Sequence, residues 1–153
     1  MSGTLPPAKR GAELSTSVRF EIDDIEVDTV VYEQGLLAKI GVGRFNQARA
    51  AVNLSEGGVM VRTQGRIKSG TKVHVRLEIE KFSDVIEADG VVRWCYQGAH
   101  EDRHFYAGIQ FLNLPASVAS KIAKLRGYYT SPEYRNKQAI KRQNDPIGFQ
   151  QTR

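Results

Sequence analysis

Residues 49–61 read RAAVNLSEGGVMV. Within them Arg49 carries a guanidinium, Asn53 an amide and Ser55 a hydroxyl, and Gly57-Gly58 follows directly. On an extended strand Arg49, Ala51, Asn53 and Ser55 share one face, and Ala48, Ala50, Val52 and Leu54 the other. The second set is apolar and is predicted to face a core. The first sets hydrogen-bonding groups in an outward row, spaced about 7 Å per two residues. The glycines let a ligand or another backbone approach without meeting a Cβ. N-x-S-x-G-G is also ordinary turn chemistry between two strands. The residues alone leave both readings open.

Other reactive side chains offer less. His100-Glu101-Asp102-Arg103-His104 matches H-E-x-x-H in letters. That zinc chemistry needs both histidines on one helix face, and here the five residues fall between two strand patterns, so a charged hairpin loop is expected. Cys95 is the single cysteine, which excludes an internal disulfide and a multi-cysteine zinc site. His74 alternates with Lys72 and Arg76 on a polar strand face and reads as a solvated histidine. No glycine-rich phosphate loop, Ser-His-Asp set or assignable carboxylate pair is present. No catalysis, metal or cofactor is expected.

The elements that must position these residues follow from periodicity. In KVHVRLEI, Val73, Val75, Leu77 and Ile79 alternate with polar residues. The period of 2 recurs in LLAKIGV (36–42), DVIEADGVVRW (84–94) and HFYAGIQF (104–111). One or two strands are predicted within 18–33, and Ser69-Gly70 marks a turn. Half-buried strands at short intervals point to an antiparallel barrel or sandwich. Then NLPASVASKIAKLRG predicts a helix with Pro115 at its first position and Gly127 at its stop. A second helix is predicted from Ser131-Pro132-Glu133 to about Gln143, with Tyr134, Ala139 and Ile140 as its thin apolar stripe. The division is a flexible leader (1–17), a barrel with its helix (18–127) and a basic tail (128–153).

At 153 residues the chain suits one domain. Residues 1–17 hold no apolar run of the secretory type, and no segment reaches the ~20 apolar residues of a membrane span. A cytoplasmic protein is expected. The net charge of +5 is uneven: eight basic and two acidic residues from Lys121 onward make +6, leaving −1 for residues 1–120. A near-neutral body argues against a barrel whose whole surface binds nucleic acid.

Asn53-x-Ser55-x-x-Gly58 resembles the [DN]-x-S-x-x-G motif of PilZ domains, receptors for the bacterial second messenger cyclic di-GMP. The resemblance continues through VNLSEGGVMV, SGTKVHVRLEI, GVVRW and AGIQFLNL into the helix, from Arg49 to about Leu125. It implies a six-stranded antiparallel barrel with a C-terminal helix, no catalysis, and cyclic di-GMP contacts at Asn53, Ser55 and Gly58. Asparagine and serine suit a guanine edge or phosphate oxygens. The family's second element, an R-x-x-x-R loop ahead of the barrel, has no counterpart upstream of Asn53. Arg10, Arg19, Arg44 and Arg49 are the candidate substitutes, and Arg19 stands best in the order of elements.

The resemblance thus implies a cyclic di-GMP receptor that relays the messenger to a protein partner. The alternative is an interaction module of the same fold that no longer binds the nucleotide. Tyr128, Tyr129 and Tyr134 beside Arg126, Arg135 and Lys137 raise binding of single-stranded nucleic acid or an anionic membrane through the basic tail as a third class, ranked last because charged terminal helices are ordinarily solvated.

Overall fold

The computed structural model describes residues 18–22, 26–35, 45–99 and 103–144. Among them seven strands form one antiparallel sheet: β1 (Phe20–Glu21), β2 (Val27–Glu33), β3 (Ala48–Ser55), β4 (Gly58–Thr63), β5 (Lys72–Ile79), β6 (Asp84–Gln97) and β7 (Phe105–Leu112). Their order across the sheet is β1-β3-β4-β7-β6-β5-β2. Helices α1 (Ala116–Tyr129) and α2 (Pro132–Asn144) follow. The predicted strand at 36–42 lies outside the described residues.

Alternation builds the core as expected in β5, where Val73, Val75 and Leu77 are fully buried. Paired residues share a face, so Leu54, Val59, Ile109 and Val92 form one inner row across β3, β4, β7 and β6. Ala51, Val61, Ala107 and Cys95 form the next. From α1, Ile122, Leu125 and Tyr129 are buried against this core.

The sheet curls until β2, at one edge, meets the start of β3. The Asn46 side chain makes three of the bonds at this junction. Asn46 Oδ1 accepts from the amides of Val31 (2.8 Å) and Ala48 (2.9 Å), while its Nδ2 donates to the Thr29 carbonyl (2.8 Å). The Gln47 amide adds a bond to Val31 O at 2.8 Å. Strands β2, β3, β4, β7, β6 and β5 thereby curl into a half-barrel whose two ends meet at this junction, in line with the six-stranded barrel fold expected from the sequence. β1 is the seventh strand, a two-residue annex on the upper part of the same β3 edge.

Two local readings are corrected. β3 carries register shifts between Ala48 and Ala50 and between Ala51 and Asn53. Each bulge adds a residue without a partner, so the core-facing set is Ala48, Ala51 and Leu54 rather than an unbroken alternation. Ala50 and half-buried Val52 stand outside that core, whereas Asn53 and Ser55 keep the outward face. In α1, Pro115 is the N-cap rather than the first helical residue, and the helix passes through Gly127 to Tyr129. Burial of Tyr129 against Phe20 outweighs the weak helix propensity of glycine. The helix therefore crosses the expected 127/128 boundary.

Asn46→Ala removes three hydrogen bonds and leaves two amides and a carbonyl to compete for water. A loss of about 2 kcal/mol is expected, read from urea denaturation of the full chain. A loss below about 0.5 kcal/mol, within the scatter of surface substitutions, would show that the junction does not depend on this side chain.

Candidate functional site

The NLSEGG stretch forms the tip of the β3–β4 hairpin. Ser55 pairs with Gly58 across the turn, and Ser55 Oγ accepts from the Gly57 amide at 3.1 Å. That bond leaves the hydroxyl proton available as a donor, although Ser55 as a residue is buried. Gly58 pairs with Gln110 of β7, and a Cβ there would overlap the Ile109 carbonyl oxygen. Its missing side chain is thus demanded by the sheet itself.

Asn53 is half-buried on the outer face, with Nδ2 at 3.4 Å from Met60 Sδ. A thioether is a weak acceptor that a ligand oxygen readily displaces. The outer row continues from Asn53 through Met60 and Gly108 to Trp94. Trp94 lies over Gly108, where any side chain would overlap the indole, and it stacks on Tyr96 at 5.2 Å.

The hairpin tip is held from the helix. The Arg126 guanidinium bonds Glu56 Oε1 through Nη2, and its Nε donates to the Val18 carbonyl at 3.2 Å. It also lies 5.7 Å from the centre of the Phe20 ring. One arginine thus ties together α1, the motif and the chain entering β1. Burial works to raise the Glu56 pKa, but bonding from Arg126 and from its own backbone amide, with the charge of Arg126, holds it below the usual 4.5.

β1 then sets the motif's other neighbour. Phe20 pairs with Leu54 and Glu21 with Asn53, and the Ile22 amide bonds Val52 O at 3.2 Å. Antiparallel continuation of this register by one residue places Arg19 opposite Ser55. Arg19 is exposed, has no ion pair among the described residues, and lines the cleft between β1 and α2. Glu21, also exposed, lies beside Asn53 and adds a negative charge there.

Not every candidate comes to this place. Arg49 bonds Gln64 through Nη2 at the open end of the hairpin, six residues from Ser55. Arg10 and Arg44 lie outside the described residues, as do His100, Glu101 and Asp102. The segment 98–104 joins β6 to β7, and Gly98 N donates to His104 O at 2.9 Å. His74 is not freely solvated: its Nδ1 stands 3.0 Å from Asp89 Oδ1, and its ring lies against Tyr32. Tyr128, Tyr129 and Tyr134 pack edge-on against one another and join α1 to α2. Among the described residues no group of histidine, cysteine, aspartate or glutamate could hold a metal, and no helix is long and apolar enough to cross a membrane. The sequence set Arg126 only beside the tail tyrosines, and its tie to Glu56 was not expected. Helical spacing after Ile122 marks Arg126 as flanking the buried face, but its partner is 70 residues away.

The PilZ domain family model matches residues 36–127. No curated protein sequence matches the chain. Among solved structures, the fold resembles the PilZ domain of YcgR from Escherichia coli with c-di-GMP. The TM-score is 0.57 at 9% identity, over 86% of this chain and 96% of that one. It also resembles the inhibitor of motility MotI/DgrA of Bacillus subtilis, with a TM-score of 0.54 at 17% identity over 71% of this chain. A third is the MrkH–c-di-GMP complex of K. pneumonia, with a TM-score of 0.53 at 18% identity over 71% of this chain. The matched part spans 47% and 49% of the latter two proteins. At these identities the likeness is one of fold.

Two measurements separate the structural duties of the motif. Gly58→Ala should cost about 3 kcal/mol or more, in the range of overpacked or strained sites, whether or not a ligand is present; an unchanged melting temperature would contradict the close β4–β7 approach. Glu56→Gln should lower stability by about 1 kcal/mol near neutral pH, a partly screened charge-assisted bond. Because the Glu56 pKa is depressed by folding, the wild-type advantage should be full above pH 4.5 and fade as pH falls through the lower folded value. An advantage independent of pH would exclude the Arg126 pairing as its source.

Proposed function

The chain belongs to the PilZ domain family, and on that premise we propose that it is a non-catalytic receptor for cyclic di-GMP that passes the messenger's signal to a protein partner in the cytoplasm. The observation that carries this reading is the β1–β3 pairing. Continued by one residue, that register would bring Arg19 opposite Ser55, on the face of Asn53, as a charged fork near the motif without an R-x-x-x-R loop.

In this reading the nucleotide lies on the outer face along β3. The Asn53 amide exchanges Met60 Sδ for a guanine edge or phosphate oxygen. Ser55 shapes the turn and keeps its hydroxyl proton for an acceptor. Gly58 holds the hairpin against β7, which fixes where both side chains stand. Arg19 supplies the bidentate, always-charged contact that phosphate favours. Arg10 and Arg44 remain candidates for a second such contact. Arg49, at the far end of the hairpin, is the weakest of the set. Ligand capture over β1 would change the surface that residues 18–22 present to a partner. The c-di-GMP named for the YcgR and MrkH structures supports the ligand class.

One observation favours a second reading. Glu21 stands opposite Asn53, where its carboxylate repels a doubly anionic ligand. An interaction module that keeps the fold and has given up the nucleotide accounts for that charge.

Isothermal titration calorimetry of the full chain with cyclic di-GMP decides between them. Binding in the micromolar range or tighter is expected, weakened at least tenfold, about 1.4 kcal/mol, in the double variant Asn53→Ala with Arg19→Ala. Unchanged affinity in the variant would remove the ligand from this face. A flat wild-type trace from folded protein would favour the interaction module.

A further inference from the structure

A second concave surface lies on the free side of β1. It is a cleft of about 770 Å³ between residues 19–22 and the face of α2 that looks back at the barrel. The volume is within the usual range for small-ligand sites.

The way α2 is attached explains the cleft. Tyr134 packs against Tyr128 and Tyr129 at 5.3 and 4.9 Å, and Lys137 Nζ reaches Glu26 Oε2 at 3.3 Å. Ser131 Oγ accepts from the Tyr134 amide at 3.1 Å, closing the first turn. These contacts fasten the front of the helix. Beyond them no residue of α2 is buried. A helix docked along its length turns apolar residues inward. Here Arg135, Gln138, Lys141 and Arg142 line the gap instead. Positions three, four and seven apart share a helix face, so these side chains form one stripe.

With Arg19 on the opposite wall, four cations meet one carboxylate, Glu21, for a net of +3. None of the four has an ion pair among the described residues, whereas nearby Arg126 and Lys137 are both paired. Phe20 and Tyr129, stacked at 6.1 Å between centroids, lie at the apolar end. Like charges across a concave, low-dielectric wall focus the field and favour a compact anion.

We infer that the cleft between β1 and α2 is an anion site in its own right, built for a small ligand carrying at least two phosphate groups. Arg135 and Arg142, one on each side of Gln138, present forks that match phosphate oxygens. Arg19 closes the ligand from the strand side. The inference stands on the cleft alone and does not require cyclic di-GMP at Asn53. Two sources share the chemistry: a dinucleotide reaching over β1 from the motif, or a separate polyphosphate.

The test titrates the full chain with inorganic tripolyphosphate, and separately with cyclic di-GMP, by calorimetry. Arg135→Glu with Arg142→Glu should weaken tripolyphosphate at least tenfold. Both residues are exposed, so the fold is kept, which circular dichroism verifies. The charge-matched control Lys68→Glu with Lys72→Glu should leave tripolyphosphate binding within twofold of wild type. A parallel loss of cyclic di-GMP in the α2 variant would assign the phosphates to the dinucleotide. Retention of cyclic di-GMP beside loss of tripolyphosphate would assign them to a separate compound. Failure of the wild-type chain to bind tripolyphosphate would overturn the inference. So would an equal loss in the Lys68/Lys72 control, which would reduce the attraction to net charge.

Discussion

Three hydrogen bonds from the Asn46 amide decide how the sheet ends. An open antiparallel sheet leaves a row of unpaired backbone groups at each edge. β2 and β3 would both be such edges here, and no ladder pairs them. Asn46 inserts an acceptor and a donor where a strand would have supplied them, joining Thr29 and Val31 to the start of β3. The β3 edge is thereby divided. Its lower end belongs to β2, and its upper end, from Val52 to Leu54, is left for β1. The pairing of Phe20 with Leu54 and of Glu21 with Asn53 follows from that division. The cleft on the far side of β1 follows from it too, since β1 is an edge strand that α2 approaches without covering.

Most of the motif residues have structural duties of their own. Gly58 is required by the Ile109 carbonyl, Ser55 by the Gly57 amide, and Glu56 by Arg126. Those contacts would favour the same letters in a barrel that bound nothing. Asn53 is different. Among the described residues its amide rests on a thioether and bonds no backbone group. The same contrast separates the cations. Arg126 and Lys137 hold elements together, whereas Arg19, Arg135, Lys141 and Arg142 face open space.

Much of this was legible where one physical rule acts alone. The period-2 patterns of β5 and β7 appear as read, because one face of each strand meets the core and the other meets solvent. The second helix begins at the Ser131-Pro132 signal. Legibility failed where two demands compete. The bulges at Arg49 and Val52 shift the inward set of β3, and no turn residue announces them. Gly127 is a good helix stop by propensity, but Tyr129 is drawn into the core and carries the helix with it. Asn46 reads as a loop polar residue until the curl brings β2 against it. The Arg126–Glu56 pair joins residues 70 apart in sequence, beyond any local pattern. Arg19 was legible as a candidate only by order along the chain; its neighbour became visible with the β1 register.

The claim on which the account rests is that the edge shared by β1 and the NLSEGG hairpin is where the ligand sits. Amide hydrogen exchange of the full chain with and without saturating cyclic di-GMP tests it directly. The account predicts slower exchange at residues 18–22 and 53–58, with β5 unchanged. Protection confined to other strands, or none in either segment under conditions where the nucleotide binds, would contradict it.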